Sequence, residues 1–121
     1  MIRVNKFSLY LENKEQGEIA VDFDGTLVSY SNYKTQALEI GEPIKSMVDR
    51  VKDWLDQGKK IVIFTARAKY KDQIPLIKQW CKDNLGQELD VTNVKRETFT
   101  EIWDDLAKQV ERNKGTIKDE R

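Results

Sequence analysis

Ile19–Val28 reads IAVDFDGTLV: an apolar run, two aspartates two positions apart, a glycine and a threonine, then apolar residues again. The unbroken apolar start suits a short strand over Ile19–Phe23 buried on both faces, with Asp22 and Asp24 at its carboxyl end. While the chain stays extended these two side chains share a face, and Gly25 permits a sharp turn where a ligand can approach the backbone. Two carboxylates that close repel, so one stays ionised while the pKa of the other is pushed upward. The ionised one is a nucleophile at neutral pH without an activating base, and a protonated neighbour can hand a proton to a leaving oxygen.

Working outward, Ser29–Gly41 is polar and reads as a loop. From Pro43, apolar residues at 44, 47, 48, 51, 54 and 55 recur at helical steps until Gly58 supplies a stop. Lys60–Thr65 (KIVIFT) is a second β-branched strand, and it too ends in small and polar residues, TAR. A second helix is predicted over Asp72–Leu85, with Ile74, Ile77, Trp80 and Cys81 on one face and Gly86 as the stop. A short third strand falls within LDVTNVK, and a fourth over Phe99–Trp103 ends on Asp104 and Asp105. Alternating Phe7, Leu9 and Leu11 suggest an extra edge strand, AKQVERN a short closing strand, and the charged end from residue 115 a frayed tail. Strands alternating with helices predict an open, mostly parallel α/β sheet with helices on both faces, a three-layer Rossmann-like arrangement. Ligands in such sheets bind beyond the carboxyl ends of the strands.

At 121 residues the chain is read as one domain, 1–121, with residues 1–18 as an N-terminal extension. Net charge is zero, with both signs spread along the chain, so no charge footprint points to nucleic acid or a membrane surface. No apolar run reaches the roughly 20 residues that span a bilayer, and the N-terminus lacks a signal-peptide core; a cytoplasmic protein is expected. The absence of histidine removes imidazole bases and ligands, and a single cysteine removes an intrachain disulfide and thiolate metal clusters. Cys81 therefore reads as a half-buried helix residue.

The chemistry left is that of carboxylates, lysine, arginine, hydroxyls and backbone amides. Asp22, Asp24, Asp104 and Asp105 at one sheet edge carry a charge density that calls for a hard cation, and magnesium fits oxygen ligands. With Mg2+ and Lys95 shielding phosphate from the attacking anion, and with Thr65, Arg67 and the amides of Gly25 and Ala66 holding phosphoryl oxygens, the set describes phosphoryl transfer.

DFDGT after an apolar strand, TAR closing KIVIF, a lysine after TNV, and DD after EIW resemble, in order, the four motifs of the haloacid dehalogenase-like (HAD) phosphohydrolase superfamily. The likeness spans Ile19–Gln109 and is nearest to small cap-free members of phages and bacteria and to the phosphatase half of polynucleotide kinases. It implies an aspartyl-phosphate on Asp22, which also binds magnesium; Asp24 as general acid and base with its backbone carbonyl on the metal; Thr65 on phosphate; and Lys95 steadying both. The acidic pair would complete the metal site, Asp105 being favoured as the direct ligand with Asp104 behind it. Leu106 departs from the pattern, since relatives often carry arginine after DD. Residues 28–42 and 66–94 are too short for inserted caps, so an open site is expected. Tyr30, Tyr33, Lys34 and Arg67 are candidates for its mouth, and a phosphorylated small molecule or nucleic-acid end for the substrate. No protein partner is suggested. Two rivals stand beside this reading: a receiver-like phosphoacceptor, and a binding protein that kept the sheet without turnover.

Overall fold

The computed structural model describes residues 17–30 and 39–118; the expected edge strand at Phe7–Leu11 and the mouth residues Tyr33 and Lys34 lie outside them. Among the described residues four strands form one sheet: β1 (Glu18–Val21), β2 (Ile61–Phe64), β3 (Asp90–Thr92) and β4 (Phe99–Trp103). All pair in parallel, in the order β3-β2-β1-β4. The chain steps outward from β1 to β3 and then returns to the far side of β1. The order thus reverses between β1 and β4, and the carboxyl ends of those two strands flank the crevice where such sheets bind ligands.

Helix α1 (Lys45–Asp56) links β1 to β2, and α2 (Gln73–Leu85) links β2 to β3. Ile19, Val21, Ile61 and Ile63 alternate along their strands and cluster with Met47, Val48 and Val51 of α1 and Ile77, Trp80, Cys81 and Leu85 of α2. Among the described residues both helices therefore cover one face, which corrects the expectation of helices on both. The physical reason is the β3–β4 crossover: residues 93–98 contain no helix, and in a right-handed crossover that is the connection that would cover the second face. Arg96 fastens this crossover by donating to Glu18 at 3.1 Å and Asp90 at 3.2 Å.

Element ends differ from the sequence reading in instructive ways. Pro43 bridges Val28 instead of opening the helix, so α1 starts at Lys45. Gly86 caps α2 in the left-handed conformation, as expected. No closing strand joins the sheet: Val110 and Ile117 form an isolated antiparallel bridge. Lys118 N–H donates to Gln109 O at 2.9 Å, so residues 115–118, expected to fray, close a hairpin. Cys81 is fully buried rather than half-buried, and burial pushes its thiol up to about 12, which leaves it unreactive at neutral pH. No described helix is long and apolar enough to cross a membrane.

β4 carries a bulge opposite Glu18 and Ile19, which pair with Phe99 and Glu101 and leave Thr100 extra. Gly17 (φ +70°) makes room for it, since a Cβ there would stand 2.5 Å from Thr100 Cγ2. Beyond the bulge, Ala20 pairs with Ile102 and Val21 with Trp103. Trp103 packs edge-on against Trp54 of α1, 5.1 Å between ring centroids, with the Arg50 guanidinium over its ring. That packing fixes the strand end from which Asp104 and Asp105 follow.

Candidate active site

Asp22 leaves the sheet directly after β1. Its N–H donates to Trp103 O at 2.9 Å, so the ends of β1 and β4 are joined where the first aspartate begins. Asp22 Oδ1 accepts from Phe23 N–H at 2.8 Å. Its carboxyl is pushed up from 3.8 to about 7, mainly by burial; repulsion and a hydrogen bond from Asp105 and repulsion from Asp104 add to this, while the Phe23 N–H opposes it.

The strand does not continue to Asp24. Phe23 O accepts from the N–H groups of Thr26, Leu27 and Val28 at 3.2, 2.9 and 3.1 Å, a tight turn that passes through Gly25 at φ +83°. Phe23 itself is buried edge-on against Trp80, 5.1 Å between centroids. The expectation that Asp22 and Asp24 share a face is therefore corrected: the turn sends them to different partners. Asp22 meets Asp105. Asp24 meets Arg67, whose Nε donates to Oδ2 at 2.7 Å and whose Nη2 donates to Oδ1 at 2.9 Å. The raised carboxyl is thus Asp22 itself, and the neighbour raising it is Asp105 rather than Asp24.

Gly25 has a second duty. A Cβ on it would stand 2.5 Å from Asp105 Oδ2, so the absence of a side chain lets that carboxylate lie against the turn. Gly25→Ala is expected to lower the thermal midpoint, from the clash and the strained backbone together, which a melting curve checks.

β2 delivers Thr65, buried, whose Oγ1 accepts from Arg67 N–H at 3.2 Å and opens a 3₁₀ turn over Ala66–Lys69. Arg67 was expected at the mouth and on phosphate. Instead it is 5% exposed, spread over the Phe23 ring, with Nη1 donating to Gln73 Oε1 at 3.2 Å and Nη2 also donating to Glu39 O. It ties the β1 turn, the start of α2 and the segment before α1 together, which commits its donors to the protein.

At the end of β4 the two acids also separate. Asp104 Oδ1 accepts from the N–H groups of Leu106 and Ala107 at 2.9 and 2.7 Å, so it caps its own loop. Asp105 reaches Asp22 and the Gly25 turn. Asp22, Thr65, Ala66, Asp104 and Asp105 border one cavity of about 400 Å3, together with Phe64, Lys69, Asn93 and Leu106. Lys95 does not border it; it lies in an adjoining groove of about 660 Å3 that meets the cavity at Asp104. Lys69 and Asn93 were missed by the sequence reading. Asn93 directly follows β3 and was open to the same strand-end rule as Thr65; Lys69 comes from a 3₁₀ turn that left no periodic signal.

Among the described residues no group of three or more acidic or cysteine side chains is gathered for a metal. Asp24 gives both oxygens to Arg67 and Asp104 gives one to its own loop, so the carboxylates that meet in the cavity are Asp22 and Asp105. That pair still fits magnesium, which is commonly held by one or two carboxylates with water and substrate phosphate completing its shell. The repulsion within the pair is what a hard cation relieves.

No family model matches the chain, and comparisons with curated proteins and with solved structures return no match either.

Proposed function

We propose that the chain is a magnesium-dependent phosphatase that hydrolyses phosphomonoesters through an aspartyl-phosphate on Asp22. The observation that carries this reading is the meeting of Asp22 and Asp105, bordered by Thr65, in one cavity where the strand order reverses. Asp22 and Asp105 would hold magnesium, whose charge would let Asp22 ionise at neutral pH and would offset that of the phosphate. Asp24 would first exchange one of its Arg67 bonds for a solvent proton; Asp22 then attacks phosphorus and the ester P–O bond breaks, the leaving oxygen taking that proton from Asp24. Water next gives a proton back to Asp24 as its oxygen attacks the same phosphorus, which releases phosphate and restores Asp22. Thr65 Oγ1 and the Ala66 amide would hold phosphoryl oxygens, with Lys69 as the cation that borders the cavity. Asp24 can act only by exchanging one of its two Arg67 bonds for the reacting oxygen, so Arg67 is a positioning residue in this scheme.

The test is a phosphatase screen over nucleotides, sugar phosphates and 3′- or 5′-phosphorylated oligonucleotides, with magnesium and with chelator. Turnover is expected with magnesium alone, falling by about 10³ or more in Asp22→Asn. Activity unchanged by that substitution would overturn the mechanism.

One observation favours a second reading. Both oxygens of Asp24 are occupied by Arg67, and a site without a ready base would keep its aspartyl-phosphate, as a phosphoacceptor does. Stoichiometric labelling of Asp22 by acetyl phosphate that persists for hours, in place of turnover, would select it.

A further inference from the structure

The cavity is not uniformly polar. Its acidic end is Asp22 with Asp105, yet Phe64 and Leu106 also line it. Phe64 is held edge-on to Phe99, ring centroids 5.3 Å apart, and is half-buried. Leu106 is 87% exposed, the most exposed of the large apolar residues described. An isolated surface leucine needs no explanation, but this one borders the acidic cavity and its backbone is fixed there. Its own N–H and that of Ala107 both donate to Asp104 Oδ1. The carboxylate that caps the loop therefore also sets where the leucine stands, one residue beyond Asp105. An apolar side chain exposed at the rim of a charged cavity gains when a ligand covers it, because apolar area leaves water while the backbone, already capped, loses little loop entropy.

We propose that the cavity selects phosphomonoesters whose alcohol carries an apolar or aromatic face, the nucleoside class, over bare polyol phosphates, and that Leu106 is the residue that makes the choice. The inference rests on the phosphatase reading. With the phosphoryl group at Asp22 and Asp105, the esterified alcohol extends toward the rim, where Leu106 and Phe64 offer it apolar surface. Lys69 borders the same cavity, and its charge is assigned to the phosphoryl group in the proposed reaction. A polyol placed there would cover Leu106 with hydroxyls and lose water without replacement partners. A base would cover it with a ring face.

Adenosine 5′-monophosphate and ribose 5-phosphate make the comparison clean, since both release the same 5′ oxygen and differ by the base. With magnesium, kcat/KM is expected to favour the nucleotide by about tenfold, the scale of one apolar contact at a discriminating site. In Leu106→Ser the ratio is expected to fall toward one, with the change in KM, whereas Leu106→Met keeps most of the preference. Because Leu106 is exposed, both variants should melt as the parent does. A ratio near one in the parent protein, or an unchanged ratio in Leu106→Ser, overturns the inference while leaving the phosphatase reading intact. If neither ester is turned over, the wider substrate screen decides the phosphatase reading, and equilibrium binding of the same two compounds to the magnesium-supplemented protein decides selectivity. Equal affinities there overturn it.

Discussion

Asp22→Asn is expected to abolish turnover and, at pH 8 without metal, to raise the thermal midpoint. The folded chain holds the Asp22 carboxyl up at about 7 against 3.8 for the free group. Between those values the folded state keeps a proton that the unfolded state has released, so stability falls as pH rises through the window. Above pH 7 the folded chain carries an ionised Asp22 against Asp105 at full cost. A shift of that size corresponds to roughly 4 kcal/mol. Asp22 is only partly buried, and solvent screening reduces this to on the order of 1–2 kcal/mol, or about 5–10 °C. Asparagine removes the charge. The gap between variant and parent should therefore be widest at pH 8, narrow as pH falls, and close near pH 4. Magnesium should stabilise the parent at pH 8 and do so far less for the variant. Melting curves from pH 4 to 8, with and without magnesium, would sink this account if Asp22→Asn were uniformly destabilised.

Arg67→Met carries the largest expected loss of stability. The substitution strips both donors from the Asp24 carboxylate, one from Gln73 and one from Glu39 O, while methionine fills much of the volume over Phe23. Breaking a buried pair from one side costs about 3–5 kcal/mol, because the remaining charge is left without a partner. Removing the second charge as well should restore much of it. Arg67→Met with Asp24→Asn is expected to recover about half of the loss, and urea denaturation of the two single variants and the double variant measures the coupling. Losses that simply add would show that the pair is not coupled. Phosphatase activity should fall in Arg67→Met even where the protein remains folded, since Asp24 would lose its fixed position.

The sheet and its two helices were legible because their signals are periodic: KIVIF and FTEIW as short apolar strands, and the steps of three and four from Ile44 to Leu55. The face that neither described helix covers was not, because it follows from a crossover too short for a helix, which a residue pattern does not announce. The site was legible in its parts and not in its wiring. Asp22, Thr65 and Asp105 do come together, since each follows a strand that ends at the same sheet edge. Asp24 was placed on the wrong face because three amides converging on Phe23 O end the strand early, and no residue type encodes that convergence. Arg67 could be matched to Asp24 only in three dimensions, 43 residues away. Lys95 followed the motif order into a neighbouring groove.

The extra residue in β4 acts as a counting device. Were Glu18–Val21 paired with consecutive residues from Phe99 onward, Val21 would meet Ile102, and Trp103 would fall level with Asp22. The bulge at Thr100 advances the strand by one, so that Trp103 lands on the helix-covered face and Asp104 arrives beside Asp22. The alignment of the two acidic pairs is thus set at the far end of the strand, some 10 Å away at about 3.3 Å per residue. Shortening β4 there by one residue would leave Asp104 and Asp105 in the sequence and put both out of phase with Asp22.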